Sequence, residues 1–238
     1  MQPGDVIELV KKAGLQGIEW GGDAHVPAGE VKAAREVYKM TTDAGLEVAA
    51  YGSYYRIGTN SNGTEDFKKV LESAFEIHAP TIRVWAGNIG SSDADANWWE
   101  QVVGESIEIA DMAKKANISI SYEYHKNTLT NTNESAQKLL KLVDNENVLS
   151  LWQTLMELNV PDRLEGLINL GDKLSNLHVF HWDETGRRPF EEGIQHWKKY
   201  LGAVSDKKDH YALLEFVMGD STEQYFRDAK VLKNILNE

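Results

Sequence analysis

The chain has 238 residues, 42% hydrophobic and 26% charged, which suits one large globular α/β domain over residues 1–238 and fits neither a disordered nor a membrane class. Acidic residues outnumber basic ones 37 to 25, a formal charge of -12 that would repel a phosphate backbone, so nucleic acid is not an expected partner. With no cysteine there is no disulfide, thiolate nucleophile or Cys-type zinc site, and with no leader-like or membrane-length apolar run the expected location is the cytoplasm.

Along the chain, short apolar runs recur about every 30 residues. They are GIEW from Gly17, LEVAAY from Leu46, TIRVWA from Thr81, ISISYEY from Ile118, VLSLWQ from Val148, LHVFHW from Leu177 and YALLEF from Tyr211. Between them lie helical patterns with apolar residues at three- and four-residue spacing, among them EVKAAREVYKMTTDAG, DFKKVLESAFEIHA and SIEIADMAKKAN. Asn97 with Glu100, and Ser221 with Gln224, read as capping boxes, and Gly14 and Gly45 as left-handed helix ends.

Repeated strand–helix units without a hairpin signal predict a parallel sheet, and the absence of a Gly-rich phosphate loop after the first strand favours a closed barrel over a doubly wound sheet. Seven strands are legible, whereas a (β/α)8 TIM barrel has eight. The chain opens on helix-like GDVIELVKKAG where a first strand would precede it, so either the chain is truncated at its start or another element fills that slot. An open slot would expose strand edges and predicts low stability or a compensating partner.

In a barrel strand alternate residues point inward, and those at the C-terminal end face the active-site mouth. In ISISYEYH the apolar set is Ile118, Ile120, Tyr122 and Tyr124, which turns Ser119, Ser121, Glu123 and His125 inward. The same test turns Glu215 and His178 inward and puts Gln153 on a face with Leu149 and Leu151. Four oxygen or nitrogen donors, Glu123, Gln153, His178 and Glu215, then surround one point, which suits a divalent cation such as Mn²⁺, Mg²⁺, Co²⁺ or Zn²⁺. Isolated strand carboxylates are commonly surface groups, but two inward-facing ones are costly to bury without a task. Trp20, Trp85 and Trp182 near strand ends form a candidate apolar wall for a sugar, and His25, Arg83, His125, His181 and Asp183 lie in or just after strands. Arg187 and Arg188, in the loop ETGRRPFEEG, are candidates for holding a phosphate or carboxylate.

These residues resemble the xylose isomerase-like barrels of the sugar phosphate isomerase/epimerase family, a superfamily that also holds ketose epimerases, inosose dehydratases and the endonuclease IV group. The resemblance runs from Gly4 over nearly the whole chain and is carried by GIEWGGDAH, by SYEYHKNTLTNT, similar to the family's Glu-Asn-His-x-Gly-Thr strand end, by LHVFHWD, similar to its His-x-Lys-Asp segment, and by LLEF with its last-strand Glu. It implies that Glu123, His178 and Glu215 are metal ligands, that the two glutamates are the acid/base pair, and that the partner is a small sugar or polyol, with homo-oligomers formed through the helical shell. Where the family presents Asp followed three residues later by His, this chain has Gln153 and Met156, a loss that weakens metal affinity.

The implied chemistry is proton removal beside a carbonyl to give an enediolate, with Glu215 as first base and Glu123 returning the proton. A dehydratase would share the first step. A barrel that binds a sugar or polyol without turning it over is the rival from another class. Phosphodiester cleavage would need a richer His/Asp/Glu cluster and a basic face, against the acidic balance.

Overall fold

A computed structural model describes residues 1–60, 62–204 and 210–237. Two compact units divide the chain, Met1–Leu151 and Trp152–Glu238. The first alternates helix and strand: α1 (Pro3–Ala13), β1 (Gly17–Gly21), α2 (Val31–Asp43), β2 (Glu47–Arg56), α3 (Glu65–Glu76), β3 (Thr81–Trp85), α4 (Ala96–Lys114), β4 (Ser119–Glu123), α5 (Asn133–Val143) and β5 (Val148–Trp152). Its strands are all parallel and lie in chain order. No described strand precedes β1.

Alternation along these strands drives the packing. Ile18, Trp20, Val48, Ile82, Val84, Ile120 and Tyr122 are buried together with the apolar stripes of the helices, including Val37, Phe67, Val70, Val102 and Ile109. The intervening positions carry Glu19, Arg83, Ser121 and Glu123. Gly14 and Gly45 take φ of 66° and 76°, the left-handed turn that lets each helix feed the next strand. The cap of α4 departs from the sequence expectation. Asp95 is the N-cap and accepts from the Trp98 backbone N–H at 2.8 Å, so Asn97 lies inside the helix. A carboxylate two residues upstream outcompetes the Asn/Glu pair for the same exposed donors.

The second unit holds α6 (Val160–Leu170), β6 (Leu174–Val179), β7 (His181–Asp183), β8 (Gly186–Arg188), α7 (Ile194–Gly202), β9 (Ala212–Leu214) and α8 (Thr222–Leu236). β6 and β9 pair in parallel, with Leu177 opposite Ala212 and Val179 opposite Leu214. β7 and β8 form a separate two-stranded antiparallel hairpin, which the sequence did not signal, beside strands that are parallel as expected. Its turn is closed by Asp183, whose Oδ1 accepts from the Thr185 backbone N–H at 2.8 Å, and by Gly186 at φ 116°. Ser221 caps α8 as expected, accepting from the Gln224 N–H at 3.3 Å. Trp152, Trp197 and Tyr200 form the aromatic centre of this unit, and the Trp197 indole donates to the Phe180 carbonyl at 2.8 Å.

Candidate active site

Three parallel strands of the first unit deliver charged side chains to one place. From β3, the Arg83 guanidinium donates through Nε to Glu19 Oε1 on β1 at 2.8 Å and through Nη1 to Glu123 Oε2 at the end of β4. The three side chains are 7%, 12% and 5% exposed, so this is a buried bridge between two carboxylates. Trp85 donates from its indole N–H to the same Oε2 of Glu123. Thr130 Oγ1 donates to the Glu123 carbonyl at 2.6 Å and ties the following loop to the strand end. Gly52 on β2 makes the bridge sterically feasible. A Cβ there would stand 2.7 Å from both Arg83 Nη2 and Glu19 Oε1.

Around Trp85 the strand ends carry a layered group. His125 stacks on the indole at 4.8 Å between ring centroids, and the Arg56 guanidinium lies 3.7 Å from the centroid. The Tyr54 ring meets Trp85 edge-on at 5.5 Å. Tyr54 sits at φ 56°, in a bulge where the β2–β3 register shifts between Gly52 and Tyr55. A left-handed aromatic residue of this kind costs ~1–3 kcal/mol and re-aims its side chain.

In the second unit Gln153, His178 and Glu215 come together. His178 Nδ1 lies 3.2 Å from Gln153 Oε1 and 3.1 Å from Glu215 Oε2. Gln153 and His178 are 7% and 3% exposed, and Glu215 Oε2 is buried with no hydrogen-bond partner among the described residues. An amide oxygen, an imidazole nitrogen and a buried carboxylate oxygen within this span match the donor chemistry of a divalent cation. Within each unit's described residues, no group of three or more His, Cys, Asp or Glu is placed to hold a metal; here the third donor is an amide. Phe216, next to Glu215, takes φ 51° and packs its ring on Phe180 and Trp182.

The other sequence-selected residues divide by environment. Trp20 is fully buried with its indole donating to Thr41 Oγ1 of α2 at 3.1 Å, so it joins strand to helix and presents no face to a sugar. His25 packs its ring edge on Trp20. His181, at the start of β7, lies against Gly193, where a Cβ would meet its ring at 2.7 Å. Burial, and secondarily the charge of His196, lower its pKa below the ordinary value. Arg188 pairs with Asp183 at 3.2 Å and with Glu192 at 2.8 Å, and Arg187 with Asp220 at 2.6 Å. Both arginines of the hairpin are therefore engaged by carboxylates. Glu19 was not singled out from the sequence. The alternation that puts Ile18 and Trp20 in the helix-facing core would have marked it, as it marked Glu123.

Parallel strands alternating with helices, with acid, amide and imidazole side chains at strand C-terminal ends, are the arrangement of an α/β-barrel protein. The chain belongs to the xylose isomerase-like TIM barrel family, whose model matches residues 7–235. It is 25% identical over 261 residues to a 3-dehydroshikimate dehydratase of Bacillus anthracis, spanning 97% of this chain and 91% of that protein. Among solved structures it resembles the probable 3-DHS dehydratase AsbF involved in petrobactin synthesis from Bacillus anthracis, with a TM-score of 0.83, 22% identity, and coverage of 97% and 93% of the two chains. It also resembles a D-psicose 3-epimerase, with a TM-score of 0.74, 18% identity and coverage of 100% and 96%. No helix among the described residues is long and apolar enough to cross a membrane.

Proposed function

We propose that the protein is a metal-dependent acid/base enzyme that removes the proton beside a carbonyl in a sugar or sugar phosphate and returns it elsewhere, as an isomerase or epimerase. The observation that carries this reading is the convergence of Gln153, His178 and Glu215, with the Glu215 Oε2 atom buried beside the His178 ring. These three would hold the ion, and a bound ion would polarise the carbonyl and adjacent hydroxyl of the substrate.

Glu215 takes the proton from the carbon beside the carbonyl, leaving an enediolate. Glu123, its rotamer held by Arg83 and Trp85, gives a proton to the opposite face for epimerisation or to the neighbouring carbon for isomerisation. His125 and His181 are the groups assigned to orient hydroxyls; Trp85, with His125 stacked on its ring and the Arg56 guanidinium over it, serves as their support and offers no open face to a sugar.

A second reading is supported by the 25% identity to a 3-dehydroshikimate dehydratase over 97% of the chain. The same proton removal is then followed by departure of a β-hydroxyl, which takes a proton and leaves as water. The experiment is to load the protein with Mn²⁺, desalt it and measure bound metal beside Glu215→Gln, then follow ketoses and 3-dehydroshikimate by NMR in D₂O. About one equivalent of metal, lost in the variant, with deuterium entering a ketose, supports the isomerase reading. Loss of water from 3-dehydroshikimate supports the dehydratase. Metal-free protein that binds a sugar and exchanges nothing would overturn both in favour of a non-catalytic barrel.

A further inference from the structure

Arg56 ends β2 opposite Trp85 of β3 in the strand register. Its guanidinium lies on the indole at 3.7 Å and makes one long hydrogen bond, from Nη1 to the Gly87 carbonyl at 3.5 Å. Of the five N–H donors of a guanidinium, most are left over. Among the described residues no carboxylate comes within ion-pair distance of it, in contrast to Arg83, Arg187 and Arg188. The group is half-buried, and burial lowers its pKa, opposed by the charge of Glu123.

This arginine is held, not loose. The Arg56 carbonyl accepts from Thr59 Oγ1 at 3.0 Å and from Asn60 Nδ2 at 2.8 Å. The loop that follows is pinned to α4 by Glu105, which accepts from the Tyr55 hydroxyl at 2.5 Å and the Gly58 N–H at 2.9 Å. Gln101 donates to the Gly58 carbonyl at 2.8 Å. Trp85, the platform under the guanidinium, is hydrogen-bonded to Glu123, so the cation stands one side chain away from a proposed acid/base group. In a chain of formal charge -12, an anion would meet general repulsion, and a preset local cation is what would admit it.

We infer that Arg56 reads an anionic group, a carboxylate or a phosphate, on the molecule bound at this site, and so restricts the enzyme to charged substrates. The inference rests on the function proposed above and adds the charge of the substrate to it. A planar fork with its face on an indole presents edge donors in the geometry that carboxylate and phosphate oxygens accept.

The test is calorimetric binding to the Mn²⁺-supplemented protein of two pairs of probes, D-fructose 6-phosphate against D-fructose and 3-dehydroshikimate against its methyl ester. The wild type is expected to prefer the anionic member of one pair at least about tenfold, ~1.4 kcal/mol, and that pair tells phosphate from carboxylate. Arg56→Gln is expected to bring the preference within about threefold, and Arg56→Lys to retain more of it than Arg56→Gln, with circular dichroism confirming that both variants fold. A wild type that binds both members of each pair alike, or binds neither, overturns the inference. So does an equal loss of charged and neutral probes in Arg56→Gln, which would mark a packing role only. Absence of deuterium exchange with the anion preference intact would sink the proposed reaction while leaving the role of Arg56 standing.

Discussion

Arg83 donates to Glu19 at 2.8 Å inside the first unit and is bonded at the same time to Glu123, so one guanidinium neutralises two buried carboxylates. Removing the cation strands both charges. Arg83→Met is therefore expected to lower the unfolding free energy by ~3–5 kcal/mol. Glu19→Gln should cost less, since Arg83 keeps its bond to Glu123. Urea denaturation of the three proteins checks the order; a smaller loss in Arg83→Met than in Glu19→Gln would contradict it.

Gly52 and Gly104 make opposite predictions. A Cβ at Gly52 meets Arg83 Nη2 and Glu19 Oε1 at 2.7 Å, whereas one at Gly104 in α4 meets nothing within 4 Å. Gly52→Ala should destabilise by ~1–3 kcal/mol through overpacking. Gly104→Ala should stabilise by ~0.5–1 kcal/mol by removing a flexible residue from a helix interior. Thermal melts of both variants decide it.

The amide of Gln153 puts a neutral oxygen where a carboxylate would add charge. Gln153→Asp is expected to raise Mn²⁺ affinity about tenfold, ~1.4 kcal/mol, and Glu215→Gln to lower it at least as much. Titration followed by the paramagnetic signal of free Mn²⁺ reads both. Unchanged affinity in both variants would remove Gln153 and Glu215 from the proposed ligand set.

His181 supplies a pH dependence. Its folded pKa lies below the ordinary 6.5, first because the ring is buried and then because His196 is near. Between the folded value and about 6.5 the unfolded chain binds a proton that the native ring does not, so stability rises with pH across that window. The stabilising contribution is complete above about 6.5 and is lost as pH falls through the folded pKa. In unfolding experiments across this range, His181→Gln should show a shallower fall than the wild type on acidification; an identical slope would assign the effect elsewhere.

The period of about 30 residues and the two-residue alternation were legible in the chain itself, because burial of one strand face leaves a direct trace in residue type. That trace marked Glu123, which the structure bonds to Arg83, and separately His178 and Glu215, which it gathers with Gln153, and it held Glu19 in plain view between Ile18 and Trp20. It also identified the caps at Gly14, Gly45 and Ser221, which are local. Three features were beyond it. The Arg83 bridge joins residues 64 and 40 positions apart, and nothing near Arg83 in sequence tells a buried bridge from a solvated strand arginine. The hairpin of β7 and β8 depends on Asp183 folding back on Thr185, in a segment that reads as a charged loop. Trp20 and Trp85 are alike as strand-end indoles, yet one is spent on Thr41 of a helix and the other on Glu123, because a one-residue change of parity sends a side chain to opposite faces of the sheet. Periodicity determined which residues are inside; which of them touch was decided by the long-range register of the strands.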